Sequence, residues 1–229
     1  MNDKTAWERQ CLIREKNRPT VNDYIPLIFE EFYELHGDRH YGDDAALMGG
    51  IARINGMPVT VLAEVKGRDL NENKKTNFAM PHPEGYRKAL RLAKQAEKFH
   101  RPVICFIDSP GAFCGIEAEE RGQGEAIAKN IMEFMRLKTP VTSVVLGEAG
   151  SGGALALGVC DRLAMLENAL YSVISPRGCE CILWKDASKE QEACEVLKMT
   201  AEDMVEFGIA EAIIDEPNGS AHYDVYKIA

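Results

Sequence analysis

Apolar residues recur along the chain with two different spacings, which separate predicted helices from predicted strands. A helical spacing predicts one helix over Asp23–Leu35, capped by its first residue and ended by Gly37. Two strand-like runs, 51–54 and 57–63, flank Asn55-Gly56, a dipeptide typical of hairpin turns. The first quarter of the chain is therefore expected to contain one amphipathic helix and one β-hairpin.

A helical pattern, a proline and a short apolar run follow one another twice in the middle of the chain. The helices are predicted over 84–99 and 118–137, the prolines are Pro102 and Pro140, and the strands are predicted over 103–107 and 141–146. Such units predict an α/β fold with mainly parallel strands. The polar segment before them, 66–83, lacks any period and is expected to be a long loop.

The last third of the chain continues the alternation. A helix of small residues is expected to begin near Ser151, followed by a strand-like pair, 162–166 and 171–174, and by a helical stretch over 178–207. The sequence contains no low-complexity segment and no linker rich in Gly, Pro or Ser. We therefore predict a single domain over residues 1–229, in which residues 1–20 form a polar N-terminal lead.

Composition excludes several classes of protein. With 45% hydrophobic and 28% charged residues the chain is expected to be globular, and its net charge of −9 argues against binding nucleic acid over its whole surface. Its seven cysteines include no Cys-x-x-Cys pair, which predicts reduced thiols in a cytoplasmic protein and no metal site. Neither a signal peptide nor an apolar run of membrane-spanning length is present, so no membrane association is expected.

Candidate chemistry lies where the two central strands end. Each runs into a glycine-rich turn, over 108–115 and 147–155, and ligands of α/β sheets bind at the carboxyl ends of strands. The second turn opens a helix, whose first N–H groups favour an anion such as a developing oxyanion. The alternative is that these glycines only allow tight packing of a helix on the sheet. The Gly-x-Gly-x-x-Gly/Ala fingerprint of dinucleotide-binding sites fits less well, because Leu155 occupies the position of its third Gly or Ala.

Two side chains near these turns resemble nucleophiles. Ser151 lies in a segment close to Gly-x-Ser-x-Gly but without the first glycine, so a helix-capping role is favoured over nucleophilic attack. Cys114 lies near the end of the first turn without a positioned base or a basic neighbour, which favours a structural thiol. Arg87 and Arg91 begin a basic stripe on the predicted helix over 84–99. This stripe is interpreted as a solvated face or, together with Lys66 and Arg68, as a surface that attracts a phosphorylated ligand.

Longer motifs carry a family resemblance from about Pro19 to His222. These motifs are GGIARINGMPV, KGRD, NFAMPHPEGYRKALRLAKQAEKF, FIDSPGAFCGIEAEERGQGEAIAKN, GEAGSGGALALGV and YSVISPRGCECILWKDA. Together they resemble the α subunits of the carboxyltransferase of bacterial acetyl-CoA carboxylase. The resemblance implies a crotonase-like (ClpP/crotonase) ββα superhelix. It also implies transfer of a carboxyl group from carboxybiotin to acetyl-CoA, which gives malonyl-CoA for fatty-acid biosynthesis.

The resemblance also implies partners and cofactors. Members of that family act only with a β subunit, as an α2β2 assembly, and the β subunit carries the zinc. Carboxybiotin arrives on the biotin carboxyl carrier protein, which biotin carboxylase serves in the same ATP-dependent holoenzyme. No cofactor is expected to be bound covalently to this chain.

Site residues follow from the same motifs. The backbone N–H groups of Gly152 and Gly153 are implied to form an oxyanion hole for the biotin ureido group. The residues implied to line the biotin pocket are Asp108, Pro110, Gly111, Ala112, Gly150, Ser151 and Ala154. The candidate contacts to coenzyme A or to a partner are Lys66, Arg68, Arg87 and Arg91.

The chain departs from the family pattern at three positions. Cys114 replaces a usual proline, Ala149 a usual glycine, and Arg177 a usual glutamate. Two alternatives to a carboxyltransferase subunit therefore stay open. One is a stand-alone crotonase-like acyl-CoA enzyme or a serine hydrolase using Ser151. The other is a non-catalytic scaffold, for which Arg177 is the main reason.

Overall fold

The computed structural model describes residues 4–229 and is built around one mixed sheet of eight strands. The strands are β1 Glu31–Glu34, β2 Leu47–Ile54, β3 Met57–Glu64, β4 Val103–Ser109, β5 Val141–Gly150, β6 Arg162–Leu166, β7 Leu170–Ser172 and β8 Ala212–Ile214. The helices are α1 Ala6–Leu12, α2 Val21–Ile28, α3 Leu70–Lys75, α4 Pro83–Lys98, α5 Ile116–Glu120, α6 Gln123–Phe134, α7 Ser151–Gly158, α8 Pro176–Leu183, α9 Glu190–Val196, α10 Ala201–Glu206 and α11 Val225–Ile228. The strand order is β1-β2-β3-β4-β5-β6-β8, and β7 pairs with the far end of β5.

The predicted hairpin is confirmed. Strands β2 and β3 are antiparallel, in a register that runs from Leu47 opposite Glu64 to Ile54 opposite Met57. Asn55 and Gly56 have φ angles of 49° and 75°. Positive φ at both central residues is the requirement of the hairpin turn that suits the twist of the strands.

The helix, proline and strand units are also confirmed, with longer strands than predicted. Strands β3, β4, β5, β6 and β8 run parallel to one another, in that order across the sheet. The predicted helix over 118–137 is wrong as one piece, because Gly122, with φ 82°, separates α5 from α6. Both β4 and β5 continue past the predicted apolar runs and into the glycine-rich turns.

The predicted helix over Asp23–Leu35 is wrong in its second half. Helix α2 ends at Ile28, and Phe29 is already extended at φ −111°. The chain then forms β1, an edge strand in which Phe32 pairs with Ala52 of β2. Asp23 is the third residue of α2 and accepts the N–H of Thr20 at 2.8 Å, so it does not stand at the cap itself.

Further differences concern regions without a strong period. The predicted loop over 66–83 contains α3 and a 3₁₀ turn at Asn77–Ala79. Strands β6 and β7 both pair with β5 and not with each other, the stretch over 178–207 forms three helices, and β8 was not predicted. These pairings join segments distant in sequence, which local patterns do not reveal.

The N-terminal lead is folded against the body of the protein. Ala6 and Ile13 pack with Met199 in a small apolar cluster, and the buried Arg9 pairs with Glu202 at 2.8 Å. The predicted polar lead is thus tied to the last helices, although residues 1–3 lie outside the described part. No helix within residues 4–229 is long and apolar enough to cross a lipid bilayer.

Candidate functional site

The structure brings the two glycine-rich turns into backbone contact. Strands β4 and β5 are parallel neighbours, so their carboxyl ends reach the same edge of the sheet. A Cβ added at Gly150 would lie 2.0 Å from the Pro110 carbonyl oxygen, and one at Gly153 would lie 2.5 Å from the Ala112 nitrogen. Only glycine permits these approaches, because any side chain would overlap the opposite backbone.

Helix α7 starts directly at this contact. Gly150 is its N-cap, in an extended conformation, and Ser151, Gly152 and Gly153 form the first turn. The N–H groups of a first turn have no acceptor within the helix, and the macrodipole places partial positive charge there. Ser151 is exposed, Gly152 half-buried and Gly153 buried. The start of α7 therefore suits an anionic or strongly polarised oxygen.

Side chains make the first turn rigid. The Ser109 hydroxyl accepts the N–H of Gly111 at 3.0 Å and donates to the carbonyl of the same residue at 2.8 Å. The Phe113 ring stacks on the imidazole of His82 with centroids 4.3 Å apart, and the Gln123 amide donates to the Phe113 carbonyl at 2.8 Å. Gly111, at φ 144°, takes a conformation that L side chains rarely adopt. This turn forms a fixed wall beside the start of α7.

Asp108, implied to line the pocket, has its carboxyl group behind the turns. Its side chain is buried, and one oxygen accepts the N–H of Glu148 at 3.0 Å and lies 3.6 Å from the ammonium of Lys66. With Lys66 and Arg68 it lines a groove of about 390 Å³. A buried carboxylate that accepts a backbone N–H stabilises the turn that follows β5.

Two buried polar groups below the turns were not predicted from the sequence. Glu64 ends β3 and is fully buried, and its burial raises the pKa of its carboxyl group well above the ordinary value. The Tyr86 hydroxyl is also fully buried and lies 2.9 Å from the position a Cβ would take on Gly153. A glutamate inside the apolar run MPVTVLAEV was the available signal for Glu64, since an unpaired charge is costly to bury.

The expectation that Ser151 caps a helix is wrong. Gly150 takes that position, Ser151 has φ 52°, and its side chain makes no capping bond. Within residues 4–229, the side-chain hydrogen bonds of His36, His82 and His222 go to partners other than Ser151. These three imidazoles are thus not placed as a general base for Ser151, which a hydrolytic serine requires.

The basic candidates fall into two separate places. Arg87 pairs with Asp38 at 2.7 Å, and Arg91 donates to the carbonyl of Gly37 at 3.1 Å. Both arginines line a groove of about 490 Å³ between α4 and α6, whereas Lys66 and Arg68 lie in the groove beside Asp108. The four residues therefore do not form one phosphate site.

An apolar groove of about 500 Å³ opens next to Gly152. Its large side chains are unusually exposed: Val173 is 78% exposed and Phe207 56%. Exposed apolar patches of this kind mark contact surfaces. Cys114, at the end of the first turn, is exposed. No group of three metal-ligating side chains occurs within residues 4–229.

Fold and site together define a class. The mixed sheet and its helices have the fold of the crotonase-like carboxyltransferases. A structure of transcarboxylase 12S, described with methylmalonyl-CoA bound, superimposes with a TM-score of 0.76 at 20% identity; the match covers 100% of this chain and 45% of that one.

Sequence comparison gives the particular family. Residues 1–229 match the family described as "Acetyl co-enzyme A carboxylase carboxyltransferase-like". The chain belongs to this family, which confirms the resemblance. An acetyl-coenzyme A carboxylase carboxyl transferase subunit alpha from Clostridium acetobutylicum is 59% identical over 225 residues, which cover 98% of this chain and 82% of the relative.

A fused relative is also similar. The "subunits beta/alpha" protein of Clostridium tetani is 55% identical over 224 residues, which cover 98% of this chain and 39% of that protein. These comparisons favour a carboxyltransferase over the stand-alone acyl-CoA enzyme and the serine hydrolase.

Proposed function

We propose that this chain is the α-type half of a carboxyltransferase and that the N–H groups of Gly152 and Gly153 form its oxyanion hole. The reaction moves a carboxyl group from carboxybiotin to acetyl-CoA and gives malonyl-CoA. The observation that carries the assignment is the start of α7, whose first turn lies against the Pro110–Ala112 backbone with no side chain between them.

The site fits the biotin ureido group. Bound carboxybiotin supplies the carboxyl group, and negative charge grows on the ureido oxygen as that group leaves. The pocket offers backbone N–H donors at the positive end of a helix, which is the chemistry that such an oxygen requires. Because the backbone of Gly153 is fixed against the first turn, the helix start stabilises the charge without reorganising.

The remaining residues of this chain orient and enclose the pocket. Ser109 fixes Gly111, and Asp108 fixes the backbone at Glu148. The Ser109 interaction sets the shape of the first turn, and the Asp108 interaction holds it against β5. A misplacement of about 1 Å in such a site costs on the order of 100-fold in rate.

We further propose that a β-type subunit covers the apolar groove beside Gly152. The groove is continuous with the proposed pocket, and its exposed Val173 and Phe207 are the residues that an interface buries. The fused relative named "subunits beta/alpha" supports a β-type occupant, because α-like and β-like parts coexist in one chain there. An α2β2 assembly, zinc on the β subunit, a biotin carboxyl carrier protein, a biotin carboxylase and a cytoplasmic location complete the proposal.

The test is carboxyl transfer between malonyl-CoA and the biotin carrier. The chain is assayed alone and then mixed with the β subunit encoded by the same organism. We expect transfer only in the mixture, because each chain supplies part of the site. A stable complex without transfer would instead support the non-catalytic scaffold.

The docking surface has its own test. Val173→Asp places a charge in the proposed interface and is expected to weaken binding of the β subunit by about tenfold or more. Met135→Asp is the matched control, since Met135 is 73% exposed at the C-cap of α6 and does not line the groove. Equal effects of the two variants on co-purification would place the β subunit elsewhere.

A further inference from the structure

A carboxyl group without a cation lies behind the proposed oxyanion hole. Glu64 is 0% exposed, one of its oxygens accepts the N–H of Asp108 at 3.1 Å, and its other oxygen has no partner. The Lys66 ammonium lies 3.6 Å from the Asp108 carboxylate and donates to the Ile13 carbonyl. Within residues 4–229 no lysine, arginine or histidine forms an ion pair or hydrogen bond with Glu64.

Tyr86 connects Glu64 to the pocket. Its hydroxyl is 0% exposed, has no hydrogen-bond partner, and lies 2.9 Å from the position a Cβ would take on Gly153. Burial raises the pKa of the phenol well above its ordinary value, and the nearby carboxyl groups of Glu64 and Asp44 raise it further, which places Glu64 within electrostatic range of Tyr86. A charge on Glu64 would therefore be felt at the first turn of α7.

Apart from the N–H of Asp108, the surroundings of Glu64 disfavour its ionisation. Asp108 and Cys105 face it from β4, Tyr86 from α4 and Tyr171 from β7. All of these groups are neutral or anionic, and burial removes the water that would stabilise a carboxylate. An ion in such a place costs several kcal/mol, and a carboxyl group escapes the cost by keeping its proton.

We propose that Glu64 is a positioning residue of the oxyanion hole: as a neutral carboxylic acid it fixes the Asp108 end of β4 and keeps negative charge away from Gly152 and Gly153. The proposal rests on the proposed function of these two glycines. A carboxylate at this position would oppose the negative charge that grows on the bound oxygen.

The first test needs no activity. An acid whose pKa is raised by folding contributes full stability below its unfolded pKa of about 4.3, and that contribution is lost as pH rises toward the folded pKa. Thermal unfolding of the wild type and of Glu64→Gln, from pH 5 to pH 9, should therefore diverge. We expect the wild-type midpoint to fall relative to the variant as pH increases. Glu206→Gln, at an exposed glutamate of α10, should show no divergence.

The second test uses the complex with the β subunit and the carrier. Glu64→Leu leaves the Asp108 N–H unpaired and is expected to lower kcat by about tenfold or more, with Glu64→Gln restoring most of the loss. The alkaline limb of the wild-type pH profile should be absent in Glu64→Gln.

The outcomes are separable. Parallel unfolding curves of the wild type and Glu64→Gln would overturn the neutral state of Glu64. Equal kcat for Glu64→Leu and Glu64→Gln would overturn the positioning role. Divergent unfolding curves without transfer in any protein, the wild type included, would confirm the neutral acid but overturn the proposed function and the positioning role that depends on it.

Discussion

The two glycine-rich turns lie side by side but depend on different interactions. Side chains stabilise the first turn, through the Ser109 hydroxyl at Gly111 and the His82 ring under Phe113. The second turn depends on the absence of side chains, because a Cβ at Gly150 would lie 2.0 Å from a backbone oxygen and one at Gly153 2.5 Å from a backbone nitrogen.

This difference predicts different responses to mutation. Removal of a side chain from the first turn takes away one interaction and leaves the others, so it should weaken the turn only partly. A Cβ added to the second turn would overlap the backbone of the first turn. The two packed backbone segments have no low-energy arrangement that would make room for it. The turn that carries the proposed donors is therefore expected to be the less tolerant of the two.

The largest expected effect is that of Gly153→Ala. Its Cβ would displace the Ala112 backbone, and with it the proposed donor, so transfer should fall by about 100-fold or more. Gly152→Ala is the matched control, since its Cβ would meet only Ile127 at an ordinary 3.5 Å. Initial rates with the β subunit measure both variants, and circular dichroism checks their folding. Equal losses of transfer rate in the two variants would contradict the prediction that the close contact of Gly153 with Ala112 causes the loss.

Ser109→Ala tests the first turn. Loss of the hydroxyl leaves the buried N–H of Gly111 unpaired and should cost about 1–3 kcal/mol of unfolding free energy. Denaturant unfolding gives the value, and Ser188→Ala, at an exposed serine, serves as the control. If Ser109→Ala had the same unfolding free energy as Ser188→Ala, the first turn would not depend on the Ser109 side chain.

A smaller effect is expected for Arg177→Glu, beside the second turn. Arg177 is the second residue of α8, where a cation opposes the helix dipole, so a carboxylate should stabilise the fold by about 0.3–1 kcal/mol. Thermal unfolding of Arg177→Glu and Arg177→Gln separates the gain of a negative charge from the loss of a positive one. If transfer appears only in Arg177→Glu, the natural chain is a scaffold.

The smallest effect is expected for Ser151→Ala. The side chain is exposed and makes no capping bond, so transfer should stay within a factor of about two of the wild type. The assay with the β subunit measures it. Loss of turnover, together with labelling of the wild type by a fluorophosphonate, would revive the serine hydrolase.

Much of the fold follows from local pattern. Asn55-Gly56 between apolar runs predicts its hairpin, and the period of α4 predicts a helix within one residue of its observed ends. The helix predicted through Leu35 failed, because the segment after Phe29 gains more from pairing with β2 than from continuing α2. Such a gain depends on a partner strand and does not appear in a local window.

The sequence by itself determined the family, the parallel strands and the two glycine-rich turns, since these depend on residue type and short spacing. Only the tertiary structure decided that Gly150 and Gly153 contact Pro110 and Ala112. Tertiary packing also buried Glu64 behind the turns without a cation. The reason is that burial and backbone contact depend on which strands become neighbours, and neighbouring strands here come from segments about forty residues apart.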